Sequence, residues 1–449
     1  MNKLIDFPYS HVLVLGLAKS GTAAAKVFLA NEKNVRVNDM QAVEEDEVVK
    51  ELKALGASVI LGEHPISVLD EIEIIVKNPG IPYSNPILEE AMERNIPIIT
   101  EIELAGQLTE GPVIGITGSN GKTTTTILTA QMIEKSNLPV KAAGNIGHVA
   151  TEVAQTVKEA ETMVLELSSF QLLGIEKFRP KVAVLLNIFE AHLDYHKTMD
   201  SYKKAKFNIF KNQESDDYLV YNADDPAITA AIPEASSQKV PFSIHRQLDN
   251  GVWLSGESIY FKNEIVIDRK DIVLVGEHNL ENILASIAAA KLCGATNKGI
   301  GEVLKTFSGV KHRLQFVDNI NDRLFYNDSK ATNLLATEKA LTSFQQPTIL
   351  LAGGLDRGNE FNDLLPFLEN VKAMVLFGET REKLKKTAEN AGIETIILAE
   401  TMQEAVHEAY AVSDRNDVIL LSPACASWDQ YRTFEERGDM FIQAVHTLV

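Results

Sequence analysis

The sequence predicts an α/β protein of three domains, each a largely parallel sheet flanked by helices: a Rossmann-like domain, a P-loop domain and a second Rossmann-like domain. Three observations predict it. The 449 residues are 45% apolar and 23% charged, enough to bury several cores. Short apolar runs alternate with amphipathic stretches along the whole chain. That alternation stops and restarts twice, at the turn-rich segment 109–112 and at FSGVKHRLQF, 307–316, which reads as a linker. The expected domains are therefore 1–109, 110–309 and 310–449.

Bulk properties exclude some functions. A formal net charge of −19 disfavours a nucleic-acid partner, because phosphate backbones are gripped by clustered Lys and Arg. Cys293 and Cys425 lie far apart with no metal-type spacing, which suits a reducing compartment. The start of the chain has only a short apolar run, and no later stretch approaches the length of a membrane span. A cytoplasmic protein without membrane insertion is expected.

In the first domain, strands are predicted at 11–16, 35–37, 58–61, 72–76 and 96–99, with helical periodicity over 40–56. LGLAKSG places Gly16 and Gly21 between a strand and a helix, and Asp39 ends the next strand. The middle glycine of a dinucleotide fingerprint is Ala18 here, which argues against close backbone approach to a pyrophosphate. A helix N-terminus able to meet a phosphate or ribose remains, and so does an ordinary tight turn. KNPGIP, with Asn78 and Gly80 after a strand, is a second candidate anion contact.

The second domain opens with GITGSNGKTTTT, 115–126. Walker A asks for a glycine where Ile116 stands. The loop Gly118, Ser119, Asn120 and Gly121 nevertheless leads into Lys122 and Thr123 at a helix start. There, backbone N–H groups can cradle a triphosphate, Lys122 can reach its β and γ phosphates, and the Thr123 hydroxyl can ligate Mg²⁺. Such a loop needs an acid on a neighbouring buried strand, and Glu166 in MVLEL supplies one. NIFEAHLDYH offers His192, Asp194 and His196 to a second metal, or to solvent alone. Further strands are expected at 182–187 and 218–221, a small antiparallel appendage at 252–267, and a helix at 279–292. In the third domain, strands end in LFYNDSKATN, TILLAGGLDRG, AMVLFGET and VILLSPACAS. Ligands of parallel sheets collect at such loops.

The spacing Gly115, Gly118, Gly121, Lys122, Thr123, joined to LELSSFQL, NDSKATN and SPACASWDQ, resembles the Mur ligase family over essentially the whole length. In that family the spacing is the normal loop. The resemblance implies that 1–109 binds a UDP-sugar, 110–309 binds ATP and 310–449 brings an amino acid. It implies peptide-bond formation driven by ATP through an acyl phosphate, joining D-glutamate to UDP-N-acetylmuramoyl-L-alanine in peptidoglycan precursor synthesis, by a monomer.

By the same resemblance, ATP meets Gly118, Ser119, Asn120, Gly121, Lys122, Thr123, Thr124, Asn282, Arg313 and Asp328. Two Mg²⁺ ions are implied: Thr123 and Glu166 hold the nucleotide-side ion, and Glu166, His192 and Lys206 surround the other. Lys206 would serve once carbamylated, since an ammonium cannot ligate a cation. Lys122, Glu166, His192 and Lys206 are thus the implied catalytic set. Lys19, Ser20, Asp39, Met40, Gln41, Asn78, Gly80, Asn145 and Ser168 would line the UDP-sugar site. Lys330, Thr332, Arg357, Ser427, Trp428 and Phe434 would bind D-glutamate. Arg357 stands where some relatives carry Lys, Trp428 replaces a smaller apolar residue, and Gln41 stands where some relatives carry Arg.

From the residues alone, Lys206 reads as a member of a solvated basic face with Lys203, Lys204 and Lys211, and only the resemblance points elsewhere. Three other functions compete: a Rossmann oxidoreductase, a P-loop switch without ligase chemistry, and a folylpolyglutamate-type or other Mur-type ligase. The α/β unit ahead of the P-loop argues against a folylpolyglutamate-type enzyme.

Overall fold

The computed structural model describes residues 1–274 and 276–448 of the chain. Its first sheet consists of β1 (His11–Leu15), β2 (Asn34–Asp39), β3 (Ser58–Leu61), β4 (Ile74–Lys77) and β5 (Ile98–Ile99), all parallel, in the order β3-β2-β1-β4-β5. Winding reverses between β1 and β4. Ligands of open parallel sheets bind beyond the carboxyl ends of strands at such a reversal, and LGLAKSG and KNPGIP occupy it.

The second sheet comprises β6 (Val113–Thr117), β7 (Val140–Gly144), β8 (Thr162–Glu166), β9 (Val182–Leu185), β10 (Tyr218–Asn222), β11 (Gln238–Ser243), β12 (Val252–Ser255), β13 (Ser258–Phe261) and β14 (Glu264–Asp268). Their order is β14-β13-β12-β11-β10-β9-β6-β8-β7. Pairing is parallel from β7 through to β12 and antiparallel only at β12–β13 and β13–β14. The expected antiparallel segment is therefore no separate appendage: it extends the main sheet. β6, β8 and β9 are buried at every position, which accounts for their unbroken apolar runs.

The third sheet comprises β15 (Gln315–Ile320), β16 (Arg323–Asn327), β17 (Thr348–Gly353), β18 (Val371–Phe377), β19 (Thr395–Leu398) and β20 (Val418–Leu421), ordered β15-β16-β20-β17-β18-β19. Only β15 is antiparallel to its neighbour. It begins at Gln315, so the end of the expected linker is strand.

Two compact units result. One holds Met1–Asp271 with His278–Lys305 and contains the first two sheets; the third sheet lies in the other, from Thr306 onward. Within the first unit, Val27, Ile102 and Leu108 share an apolar cluster with Val113, Ala150 and Met163. Residues 109–110 thus mark a change of sheet within continuous packing. Among the described residues no helix is long and apolar enough to cross a membrane.

Candidate active site

β6 runs through the interior of the second sheet between β8 and β9, and the chain turns at its end into the helix Lys122–Lys135. Gly115 belongs to the strand. A Cβ there would lie 3.1 Å from Leu167 Cδ1 and 3.4 Å from Ile209 Cδ1, so this glycine serves sheet packing. Gly121 makes the turn: its φ is +82°, and a Cβ would sit 2.0 Å from Asn282 Oδ1. Asn282, on the helix Glu277–Leu292, is buried beneath the loop and receives a 3.5 Å contact from the Thr125 hydroxyl. Asn187 fixes the loop from β9's side, its Oδ1 accepting from the Asn120 N–H at 2.9 Å and its backbone carbonyl from Ser119 N–H at 2.9 Å. The Ser119 hydroxyl lies 2.9 Å from the Tyr202 hydroxyl and accepts from the Phe189 N–H at 2.8 Å. Thr123 is half-buried at the second helical position and Thr124 is buried behind it.

Two lysines meet on this loop. Lys122 Nζ donates to the carbonyls of Gly118 at 2.9 Å and Ser119 at 3.0 Å, and Lys206 Nζ donates to the same Gly118 carbonyl at 2.8 Å. Lys206, on the helix Met199–Phe207, is 2% exposed. Burial, and then the Lys122 charge, push its amine down to about 6. Lys204 and Lys211 stay on the surface; Lys206 does not belong to their basic face.

Glu166 ends β8 beside Ile116 of β6. It is 2% exposed; Oε1 accepts from Asn145 Nδ2 at 2.9 Å, while Oε2 is buried with no hydrogen-bond partner. That oxygen keeps its lone pairs available to a bound cation or hydrogen-bond donor. His192 has left-handed backbone (φ +56°) and an exposed ring edge-on to Phe170 at 5.0 Å. Its sequence neighbours diverge from it. Asp194 faces solvent, and His196 is buried with Nε2 2.9 Å from the Ser169 hydroxyl and its ring stacked on Phe170. Of the three residues that NIFEAHLDYH offers, His192 alone lines the cavity described next. Among the described residues no three His, Cys, Asp or Glu side chains converge as a metal cage.

A cavity of about 650 Å³ connects the two sheets of the first unit. Ala18, Lys19, Ser20, Asn78 and Gly80 line one end, and Lys122, Lys206, His192, Asn145 and Ser168 the other. Ser168 caps the short helix Ser169–Leu172, its hydroxyl engaged with Gln171 in a capping box. Asp39, Met40 and Gln41 do not line this cavity. The Asp39 carboxylate turns back onto the N–H groups of Leu17 (2.6 Å), Gln41 (2.7 Å) and Ala42 (2.8 Å).

The second unit gathers the remaining candidates at the carboxyl ends of β16, β17 and β20. Asp328 is buried, accepting from the Leu314 N–H at 3.1 Å and the Ser422 hydroxyl at 3.0 Å; burial nonetheless pushes its carboxyl up to about 7. Lys330 Nζ lies 5.5 Å above the Phe434 ring, and the exposed Arg357 guanidinium 4.8 Å above Trp428. The Ser427 hydroxyl is buried without a hydrogen-bond partner. Thr332 is half-buried and Arg313 exposed. Sequence reasoning missed Arg437, whose buried guanidinium donates to the Ser329 hydroxyl (3.0 Å) and to the carbonyls of Ser329 (2.8 Å) and Cys425 (3.0 Å). It ties NDSKATN to SPACAS. In TFEERGDMF nothing distinguishes it from a surface arginine.

Fold and site together define a P-loop protein whose nucleotide-type loop opens on a cavity, lined by Lys19, Lys122 and Lys206, that it shares with a Rossmann-like sheet. Residues 10–100 match the Mur ligase MurD-like N-terminal domain, 116–290 the Mur ligase middle domain, and 312–425 the Mur ligase glutamate ligase domain. The chain belongs to the Mur ligase family. A relative from Oceanobacillus iheyensis named UDP-N-acetylmuramoylalanine--D-glutamate ligase is 61% identical over 448 residues, covering 100% of both chains. One of the same name from Bacillus cereus is 57% identical over 450 residues, again covering 100% of each. Among solved structures, UDP-N-acetylmuramate-alanine ligase MurC of Thermotoga maritima matches with TM-score 0.58 at 17% identity, covering 98% of this chain and 100% of that one. MurF ligase of the same organism in complex with ADP matches with TM-score 0.58 at 18% identity, covering 99% and 98%. These last two share the fold.

Proposed function

We propose that this chain joins D-glutamate to UDP-N-acetylmuramoyl-L-alanine at the expense of ATP, in cytoplasmic peptidoglycan precursor synthesis, acting as a monomer with domains 1–109, 110–309 and 310–449. The observation that carries the reading is the cavity with the Ala18–Ser20 and Asn78–Gly80 turns at one end and the P-loop Lys122 with Lys206 at the other. Identity of 57–61% to relatives of that name along the entire chain supports the choice of substrates.

The substrate carboxylate is a poor acyl donor because its leaving group would be oxide. An oxygen of that carboxylate attacks the γ-phosphorus, the bond to the β-phosphate oxygen breaks, and ADP leaves. The D-glutamate amine then attacks the acyl carbon, loses a proton, and expels phosphate. Two anions must approach each other for the first step, which requires concentrated positive charge. Lys122 supplies part of it after leaving the Gly118 and Ser119 carbonyls for the triphosphate. Asn145 and Ser168 orient the carboxylate, and Gly118–Gly121 hold the phosphates through backbone N–H groups.

The residues fit Mg²⁺, a hard cation that takes oxygen ligands. Glu166 offers a buried oxygen with no hydrogen-bond partner, and with the Thr123 hydroxyl and His192 it would hold the ion. The amine of Lys206, largely uncharged at neutral pH, can bond to CO₂ with loss of a proton to give a carbamate, a further anionic oxygen donor. When bound, Mg²⁺ would neutralise charge on phosphate and carboxylate oxygens. In the second unit, Lys330, Thr332, Arg357, Ser427, Trp428 and Phe434 would receive D-glutamate, whose two carboxylates suit the cations and the free Ser427 hydroxyl. Arg313 and Asp328 would meet the nucleotide.

Phosphate release measured over a panel of amino acids and UDP-muramoyl acceptors tests this. D-Glutamate with UDP-N-acetylmuramoyl-L-alanine should be preferred; preference for another pair would defeat the assignment while leaving family membership intact.

A further inference from the structure

Lys77 ends β4, directly before the Asn78–Gly80 turn at one end of the cavity. Its side chain is buried, and its ammonium donates to the carbonyls of Asn78 (3.3 Å), Pro79 (3.1 Å) and Ile81 (2.9 Å). It also lies 3.3 Å from the hydroxyl of Tyr195, which itself donates to the Ile81 carbonyl at 3.1 Å. The rings of Tyr83 and Tyr195 flank it at 5.0 and 6.0 Å. Burial holds the amine down to about 7.

A buried cation whose partners are carbonyls, a phenol and aromatic faces is a costly device for stability alone. Its geometry suggests what it secures. Carbonyl dipoles of one short turn converge on a single Nζ, and without that donor they would repel each other. Tyr195 carries the constraint across to the second sheet. It sits in the helix Leu193–His196 immediately after His192, and its ring packs edge-on against Phe170 at 4.6 Å. Phe170 and His192 line the other end of the cavity.

We propose that Lys77 is a positioning residue for the sugar-nucleotide substrate: through the turn carbonyls and Tyr195 it fixes the Asn78–Gly80 turn relative to the His192 segment, and so sets how the substrate spans the cavity. This rests on the functional reading above. Lys77 acts through the backbone of its neighbours and touches no reacting atom.

The test compares the full-length wild type with Lys77→Met and Tyr195→Phe, by steady-state kinetics and by calorimetric binding of UDP-N-acetylmuramoyl-L-alanine. Lys77→Met should raise KM for the sugar nucleotide about tenfold and Tyr195→Phe about threefold, with kcat falling less than KM rises and KM for ATP within about twofold. Sugar-nucleotide affinity unchanged in both variants, or KM for ATP rising in parallel, would overturn the proposal. If Lys77→Met does not fold, Tyr195→Phe decides alone, because it removes one hydroxyl and keeps the packed ring. A wild type that fails to bind the sugar nucleotide at all would overturn the functional reading, and this inference with it. Binding by the wild type with unaltered variants removes only the positioning role.

Discussion

The turn LGLAKSG after β1 and the loop GITGSNGKT after β6 begin from one design, a buried parallel strand delivered through glycines into a helix. They end as opposites. In the first turn, the Asp39 carboxylate satisfies the Leu17 N–H, and a Cβ on Gly21 would lie 1.9 Å from the Gly16 carbonyl oxygen. Its glycines allow close packing and its capping group is an anion. In the second loop, Gly121 bends the chain over Asn282, and the groups gathered at its carbonyls are the cation Lys122 and the buried amine of Lys206. Backbone shape alone does not make a phosphate site; the charge brought to the loop does.

The sharpest way to break that contrast is Lys122→Ala. It should lower phosphate release by about a thousandfold or more, with the fold intact by circular dichroism. Retained turnover would reduce the second loop to the status of the first. Next comes Lys206→Ala, expected to lose about a hundredfold or more in kcat and to regain part of it with formate or acetate, which restore a carboxylate to the vacated space. Wild-type activity, or loss without rescue, would remove the carbamate reading.

The sequence made the second loop legible and left the residues that support it hidden. Lys122, Thr123 and the Glu166 strand end follow from local pattern, because a P-loop's chemistry is contiguous. Asn187, Tyr202 and Asn282 reach the same loop from distant segments, and ordinary Asn and Tyr residues carry no local signal of that role. Arg437 and Lys77 are buried cations paired with carbonyls, the arrangement a sequence reader least expects, since charged residues are rarely buried unpaired. Strands followed the same rule. β6, β8, β9 and β20 are buried on both faces and read as apolar runs, whereas half-buried β7, with Lys141 and small residues, carries no such run. Resemblance carried Met40 and Gln41 to the sugar-nucleotide site, yet neither lines the cavity, and Met40 is 51% exposed.

Glycine substitutions sharpen the comparison at smaller scale. Gly21→Ala drives a methyl into backbone 1.9 Å away, where nothing can yield cheaply, and should destabilise by about 3 kcal/mol. Gly115→Ala meets only side-chain carbons, the nearest at 3.1 Å, and should destabilise by about 1 kcal/mol. Thermal unfolding midpoints check both. Equal losses would mean that β6 is packed as rigidly as the first turn.

The smallest effect, Asp39→Asn, isolates the anionic cap. Partial burial works to raise the Asp39 carboxyl, but the N–H donors of Ala42, Leu17 and Gln41 outweigh it and hold the group below its ordinary 3.8. A carboxyl lowered on folding stabilises above its unfolded value, and that contribution disappears as pH falls through the folded one. The amide keeps one acceptor oxygen and loses the charge, and solvent screens the exposed side of the group. Asp39→Asn should therefore destabilise by roughly 0.5 kcal/mol at neutral pH. Unfolding measured from pH 7 downward should show the two proteins converging below about pH 4. A gap that persists unchanged into acid would mean that the carboxylate's shape, and not its charge, closes this turn, and the contrast with the cationic loop would lose its electrostatic basis.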